Sequence, residues 1–278
     1  MPARRLVATA GLGLLCAALA SACTAFCASS NGQVLVGNNE DFGNPRSRVW
    51  FVPAEKGSYG RVLVGFDNGF AQGGMNEKGL MFDGFATPAI EVSPTPEKQI
   101  WFGSLGEKVL AECATIEQVV RLVENYHRPE RAVLFFADEN GDAVSIEPGA
   151  VVRKGDWLFI QTNFYQSMTR PGAEACPRFQ IARRMLEDSR GEISVDLFRR
   201  ILSATHQEGN AATQYSNVYD LKARLMYLYH FHNFENVLRI DLAAELRKGP
   251  RKLEIPALFP RTHAAEAHAR WYDSQQKK

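Results

Sequence analysis

The sequence has 278 residues, of which 32 are Lys or Arg and 31 are Asp or Glu, for a formal net charge of +1. This balance excludes the basic footprint of a nucleic-acid-binding protein and gives no attraction to an anionic membrane surface. The length fits one large domain with a substantial core.

The first 22 residues have the organisation of a cleavable secretory signal peptide. Arg4-Arg5 precedes an apolar stretch, Leu6–Leu19, and Ala20-Ser21-Ala22 forms an A-x-A cleavage site directly before Cys23. The apolar stretch is shorter than the roughly 20 residues that a membrane span needs. We therefore expect an exported protein, periplasmic or secreted, with no stable membrane anchor, whose single mature domain covers residues 23–278.

Strand signals dominate the start of the mature chain. Asn31-Gly32 stands between the apolar runs Ala25–Cys27 and Val34–Gly37, and Asn-Gly in that setting is the strongest short hairpin signal. Cys23 is therefore expected at the start of a strand. Further short strands are predicted over residues 49–52, 61–66 and 79–85.

Apolar residues at helical spacing appear from residue 105 onward. Helices are predicted over residues 105–113, 116–122, 179–186 and 195–202. Strands are predicted over residues 132–137, 143–147, 157–163, 225–231 and 236–240. Because strands and helices do not alternate as βαβ units, the pattern favours a layered α+β architecture. The polar tail after about Thr262 is expected to be loosely held.

A cysteine at a mature N-terminus carries its own base beside the thiol. An α-amine has a pKa of about 7.7–8.0, so near neutral pH part of it is unprotonated and accepts the thiol proton directly or through water. The thiolate is a strong nucleophile, and nucleophile and general base then come from one residue. Cys23 is thus the candidate nucleophile. Two other interpretations are a lipidated cysteine, although Ala20 replaces the usual Leu of a lipoprotein signal, and an ordinary buried residue.

The remaining cysteines and histidines give weaker signals. In an exported protein Cys113 and Cys176 are able to pair as a disulfide. His230 and His232 alternate, as two residues on one face of a strand do, but a metal ion needs further ligands and no C-x-x-C or H-x-x-x-H spacing occurs. The role of His206 is left open. No metal and no cofactor are predicted.

Several motifs resemble those of a known family. The first are Cys23–Cys27, Asn31-Gly32 and Gly37–Phe42, and they are followed by Met75–Leu80, Thr162-Asn163 and Arg178 after a proline. Together they resemble the N-terminal-nucleophile hydrolases of the choloylglycine hydrolase, penicillin V acylase and isopenicillin N acyltransferase group.

The resemblance implies a four-layer αββα sandwich and a set of site residues. Asp41 holds the α-amine and orients the nucleophile, Asn163 donates to the oxyanion, and Arg178 braces the site. Asn38, Asn39 and Asn76 are assigned to substrate binding. Asn38 stands where bile salt hydrolases and penicillin V acylases usually carry Arg, so the substrate preferences of those branches are not transferred.

The resulting expectation is a cysteine amidohydrolase that cleaves a linear, non-peptide C–N amide bond. Its substrate is an N-acylated small molecule, and the acyl group passes through a thioester on Cys23. One alternative is an acyltransferase, which passes the same thioester to an amine. Another is a lipid-anchored binding protein whose Cys23 carries acyl chains.

Overall fold

The computed structural model describes residues 23–91, 97–128, 130–170 and 176–277, so the predicted signal peptide lies outside the described residues. The strands are β1 Thr24–Ser30, β2 Gln33–Asp41, β3 Ser47–Val52, β4 Arg61–Phe66, β5 Ala71–Asn76, β6 Met81–Ala86, β7 Ala132–Ala137, β8 Ala143–Ile146, β9 Val151–Arg153, β10 Leu158–Gln161, β11 Thr213–Asp220, β12 Leu225–His230, β13 Asn233–Asp241 and β14 Arg251–Glu254. The α-helices are α1 Leu105–Glu112, α2 Ile116–Val123, α3 Pro177–Asp188, α4 Val195–Thr205, α5 Leu242–Leu246 and α6 His263–Gln275.

The strands form two antiparallel sheets. One has six strands in the order β10-β1-β2-β11-β12-β13, and the other has eight in the order β14-β3-β4-β5-β6-β7-β8-β9. The predicted first hairpin is confirmed: β1 pairs with β2, and Asn31 and Gly32 between them have φ values of 48° and 79°. Two successive positive φ values are typical of a type I′ turn, whose twist matches that of the flanking strands.

Three apolar clusters show how the layers pack. The central cluster lies between the sheets and takes Ala25 and Val36 from one sheet and Phe85 and Phe135 from the other. A second cluster packs α1 and α2 on the eight-stranded sheet, and a third packs α3 and α4 on the six-stranded sheet. The αββα sandwich is therefore confirmed. None of the helices formed by the described residues is long and apolar enough to cross a membrane.

Side-chain caps fix where three helices of the outer layers begin. The Ser104, Thr115 and Ser194 hydroxyls accept hydrogen bonds from backbone N–H groups in the first turns of α1, α2 and α4. Such caps satisfy donors that have no partner within the helix. Helix α3 instead begins with Pro177, whose missing N–H and fixed φ suit a first helical position.

The C-terminal segment differs from the prediction. Residues after Thr262 form helix α6, which the Thr262 hydroxyl caps by accepting from the Ala265 N–H. His268 on this helix is buried, and its ring nitrogen lies 2.9 Å from the Gly43 carbonyl and 3.1 Å from Gln214 Nε2. Polar contacts of a buried histidine therefore help to hold a segment whose composition alone indicated a loose tail.

The structure also answers two questions that the sequence left open. Cys113 and Cys176 are free thiols, because Cys113 packs beside α1 and α2 while Cys176 packs beside α3, on the opposite outer layer. His230 and His232 do not share one face of a strand. β12 ends at His230, and His232 lies in the following turn with a φ of 63°.

Candidate active site

Cys23 lies immediately before β1, with its side chain between the two sheets. Residues 23, 25 and 27 belong to the central cluster, whereas Phe26 and Ala28 face α3 and α4. This alternation is the period of two expected for a strand, so Cys23 and Cys27 point the same way. The Cys23 side chain is buried at 1% exposure.

Arg178 connects helix α3 to the start of β1. Its Nη1 donates to the Cys23 carbonyl oxygen at 2.6 Å and to the Thr24 hydroxyl at 2.7 Å. Its Nη2 donates to Asn163 Oδ1 at 3.2 Å, and Nη1 lies 3.7 Å from Asp41 Oδ2. The planar guanidinium therefore joins all four predicted catalytic residues in one network.

Asp41 ends β2 with a fully buried carboxyl group. The Gln207 amide donates to Oδ2 at 2.9 Å, and the Thr213 hydroxyl donates to Oδ1. Burial raises the pKa of Asp41 to about 7, although these hydrogen bonds and Arg178 act in the opposite direction. The backbone N–H of Asp41 also hydrogen-bonds the Cys23 side chain.

Glu40 is a buried acid that the sequence analysis did not assign to the site. Its carboxyl group hydrogen-bonds the Cys23 thiol and lies beside the Tyr215 hydroxyl. Burial and the neighbouring Asp41 raise the pKa of Glu40 to about 8. Strand alternation in the sequence could have placed Glu40 at the sheet interface, because even-numbered residues of β2, such as Val34 and Val36, face it.

The surroundings of Cys23 disfavour the deprotonated form of its thiol. Burial raises the pKa of the Cys23 thiol well above its ordinary value, and the acids Glu40, Asp83 and Asp41 raise it further. The hydrogen bond from the Asp41 backbone lowers it without reversing that direction. A nucleophile in this environment therefore needs a base that removes its proton during attack.

Asn163 lies beside this network in the loop directly after β10. Its Nδ2 donates to the Ala86 carbonyl oxygen at 2.8 Å, while its Oδ1 accepts from Arg178. The side-chain amide carries two hydrogens, so the Ala86 contact uses one of them. The structure brings Asn163 to Arg178, and its predicted donation to an oxyanion stays a prediction.

The three asparagines assigned to substrate binding all make hydrogen bonds within the fold. Asn38 faces the sheet interface, where it hydrogen-bonds the Asp83 carboxylate and accepts from Asn217 at 3.3 Å. Asn39 faces the opposite way and donates to the Leu202 carbonyl in α4 at 3.0 Å. These two side chains join elements of the fold to one another.

The contacts of Asn76 differ most from those expected of a substrate-binding residue. It is fully buried, and its Nδ2 donates to the Leu110 and Cys113 carbonyls, each at 2.8 Å. Its Oδ1 accepts from the backbone N–H groups of Lys78 and Leu80, each at 3.0 Å. Since these contacts tie β5 to α1 on the outer face of the eight-stranded sheet, they do not support a substrate contact.

An aromatic cavity of about 480 Å³ reaches Glu40. Aromatic side chains from the eight-stranded sheet and from the loops after β2, after β4 and before α1 line it, namely Phe42, Phe66, Phe70, Phe82, Phe85 and Trp101. Glu40 joins this cavity to Cys23, since its carboxyl group contacts the thiol. A second cavity, of about 610 Å³, lies beside α6 and is lined by none of the predicted catalytic residues.

Comparisons with known proteins find similarity in structure. No family model and no curated sequence matches the chain. Penicillin V acylase from Agrobacterium tumefaciens is 18% identical, with a TM-score of 0.65 over 83% of this chain and 91% of that one. A variant of conjugated bile acid hydrolase from Clostridium perfringens is 18% identical, with a TM-score of 0.68 over 86% of this chain and 99% of that one.

A more distant neighbour is the N-acylethanolamine-hydrolyzing acid amidase ortholog of Caenorhabditis elegans. It is 14% identical, with a TM-score of 0.53 over 71% of this chain and 92% of that one. The chain thus has the αββα fold of the N-terminal-nucleophile hydrolases.

Proposed function

We propose that this chain is an exported amidohydrolase that cleaves the linear, non-peptide C–N amide bond of an N-acylated small molecule. Its nucleophile is Cys23, which becomes the N-terminal residue when residues 1–22 are removed. Asp41, Asn163 and Arg178 complete the catalytic group. The similar structures act on amides by name, as penicillin V acylase and as an acid amidase, and this supports the reaction class.

The observation that carries the proposal is the placement of Cys23. It stands at the start of β1, with its carbonyl held by Arg178 at 2.6 Å and its thiol between the sheets. Cleavage before Cys23 would create an α-amine on the same residue as the buried thiol. That amine is the base which the raised thiol pKa requires.

The reaction proceeds through a thioester. The α-amine takes the thiol proton as sulfur attacks the amide carbonyl carbon, and a tetrahedral oxyanion forms. The C–N bond then breaks, and the protonated amine passes its proton to the leaving nitrogen. Water, deprotonated by the same amine, attacks the thioester, so that the carboxylic acid leaves and the thiol is restored.

The aromatic cavity supports an apolar acyl group as the part of the substrate bound beside Cys23. Aromatic walls contribute through burial of apolar surface, at about 25 cal/mol per Å². A few polar groups then fix orientation, as is usual for small-molecule sites. Glu40, at one wall of the cavity, is such a group.

The test compares Cys23→Ala with the matched control Cys27→Ala. Cys27 is also buried on the same face of β1, and burial raises the pKa of its thiol to about 12. We expect Cys23→Ala to abolish amine release from a panel of N-acyl compounds and Cys27→Ala to retain much of it. The assignment fails if Cys27→Ala is inactive while Cys23→Ala keeps its rate.

Two further measurements separate the alternatives. Intact mass of the wild-type enzyme mixed with substrate identifies the acyl-enzyme, and added amine acceptors distinguish hydrolysis from acyl transfer by their products. Sequencing of the mature N-terminus tests the processing step. A lipid-modified Cys23 would contradict the mechanism, because acylation of the amine removes the base.

A further inference from the structure

Two histidines and a glutamate meet where α4 leads into β11. His206 follows the last residue of α4, Glu208 is two residues further along, and His232 lies in the turn between β12 and β13. One potential ligand atom from each residue lies within 4.8 Å of those of the other two. His206 Nε2 is 3.7 Å from Glu208 Oε1, and the two imidazole centroids are 4.5 Å apart.

The His206 ring is oriented in the way that metal-binding histidines are. Its Nδ1 lies 2.6 Å from the Ser203 carbonyl oxygen, which is only an acceptor, so Nδ1 carries the hydrogen. The lone pair is therefore on Nε2, the atom that faces Glu208. A backbone carbonyl that accepts from the other ring nitrogen is the usual second contact of a histidine bound to a metal.

His232 offers a second unprotonated nitrogen to the same point. Its Nε2 is buried and has no hydrogen-bond partner among the residues that the structure describes. Its ring also hydrogen-bonds the backbone of Gln207. Among the described residues, the lone pair of the buried Nε2 thus meets no donor and faces the same point as His206.

The turn that carries His232 has an unfavourable backbone for its residues. Phe231 and His232 have φ values of 41° and 63°, in the left-handed region where Asn and Gly are the usual occupants. Residues in such conformations cluster at functional sites, where surrounding contacts maintain them. In this conformation the His232 ring lies against His206, whereas His230 stacks on Phe259.

We propose that His206, Glu208 and His232 bind one divalent transition-metal ion of the Zn²⁺ class. Two imidazole nitrogens and one carboxylate oxygen are a common donor set for zinc, and water would complete a tetrahedral site. Metal–nitrogen bonds of about 2.0–2.1 Å need the ligand atoms drawn together slightly. Glu208 can supply that movement, because its side chain is 81% exposed.

The site lies next to the segment that supports Asp41. Gln207 is the residue between two of the ligands, and its side-chain amide donates to Asp41 Oδ2 at 2.9 Å. Its backbone N–H donates to the Thr213 hydroxyl at 2.8 Å, and this hydroxyl also contacts Asp41. A bound ion would therefore fix the position of Gln207. The metal site would be structural and would take no part in the reaction. The proposal is independent of the hydrolase assignment.

The test is a titration of the purified full-length protein with Zn²⁺, followed by calorimetry and thermal unfolding. We expect one ion per chain and a Tm that rises with Zn²⁺ concentration, because the ion binds only the folded chain. Co²⁺ in place of Zn²⁺ should give visible d–d absorption without a thiolate charge-transfer band. That spectrum separates the histidine site from binding at cysteine.

Four variants make the assignment specific. His232→Asn keeps a residue suited to positive φ, His206→Gln keeps a polar side chain, and Glu208→Gln alters an exposed residue, so each is expected to fold. Zn²⁺ affinity should fall at least tenfold in Glu208→Gln and disappear in the two histidine variants. The control His263→Gln, at an exposed position of α6, should bind as wild type does.

The outcomes that would overturn the proposal are equally specific. One is a folded wild-type protein that binds no stoichiometric Zn²⁺. Another is unchanged affinity in folded His232→Asn and His206→Gln variants. A Co²⁺ spectrum dominated by thiolate charge transfer would likewise assign the metal to cysteine and refute the site.

Discussion

The carboxyl group of Glu40 lies against the thiol of Cys23 in the space between the sheets. Burial and Asp41 raise the pKa of Glu40 from its ordinary 4.5 to about 8. The folded protein thus holds the Glu40 proton more tightly than the unfolded chain does. The stability that this group contributes is complete below pH 4.5 and is lost as the pH rises through 8.

Glu40→Gln should remove that loss, because an amide does not titrate. We expect the difference in Tm, variant minus wild type, to increase in favour of the variant between pH 4.5 and pH 8. Thermal unfolding followed by circular dichroism across this range measures it. The exposed Glu192→Gln serves as the control and should run parallel to wild type. Parallel curves for Glu40→Gln itself would contradict the raised pKa.

Asn163 tests the oxyanion assignment. If its amide donates to the developing negative oxygen, Asn163→Ala should lower kcat by about 10²–10³ and change KM much less. Asn163→Asp should be at least as harmful, because it places a carboxylate against that oxygen. A purely structural Asn163, held by Ala86 and Arg178, would lower Tm and leave the rate per folded molecule nearly unchanged. Kinetics on protein of known folded fraction decide between these results.

Helix α3 acts on the site through its second residue. Arg178 makes hydrogen bonds to Cys23, Thr24 and Asn163 from one planar group, and a lysine cannot reproduce that fork. A hydrogen bond to a charged group contributes about 1.5–3 kcal/mol, so we expect Arg178→Lys to lower kcat/KM by about one to two orders of magnitude. Arg184→Lys, an exposed change in the same helix, should have no effect. Equal rates in the two variants would remove Arg178 from the site.

The elements that the sequence analysis found are those with strong local signals. The Asn31-Gly32 hairpin has a turn that only certain residues adopt, and the amphipathic helices have clear apolar spacing. Strand β11, Thr213–Asp220, was missed because it is polar in sequence yet buried. Its Ser216 donates to Asn39 and its Asn217 donates to Asn38, and neither partner is close in the chain. Burial of that kind depends on cross-strand contacts that no local pattern contains.

The residues of the candidate site likewise differ in how well a local sequence pattern predicts them. The network around Arg178 contains the four residues that the family resemblance assigned to catalysis, because short motifs carry them. The assignment of Asn39 and Asn76 to substrate binding has no such support, since their side chains hold α4 and α1 in place. An asparagine in a strand motif has the same sequence signal whether its amide meets a ligand or a backbone carbonyl. Only the direction of the side chain distinguishes the two roles.

At the scale of the whole molecule, the site is assembled from four distant parts of the chain. The β1–β2 hairpin supplies Cys23 and Asp41, the loop after β10 supplies Asn163, and helix α3 supplies Arg178. The segment from Gln207 to Thr213 supports the Asp41 carboxylate. The hairpin and Thr213 belong to the six-stranded sheet, whereas α3 belongs to the helix layer packed on that sheet. The geometry around the thiol is therefore a property of the folded sandwich.

Activity should consequently depend on processing and not on folding alone. A variant in which Ala20→Arg blocks the predicted cleavage site is expected to fold with wild-type secondary structure and to release no amine. The reason is that the nitrogen of Cys23 is then an amide, which cannot accept the thiol proton. Amine release by a precursor whose intact mass includes residues 1–22 would contradict the mechanism.

The matched control restores the N-terminus in the same protein. A recognition sequence for a specific protease, inserted so that cleavage ends directly before Cys23, should give inactive precursor and then active enzyme after digestion. Intact mass and rate, followed in one sample over time, should change together. An otherwise identical insert that leaves one Gly before Cys23 should be cut equally well and stay inactive, because its Cys23 nitrogen remains an amide. Activity in that last protein would show that the base is elsewhere, and Glu40, beside the thiol, would then be the first group to test.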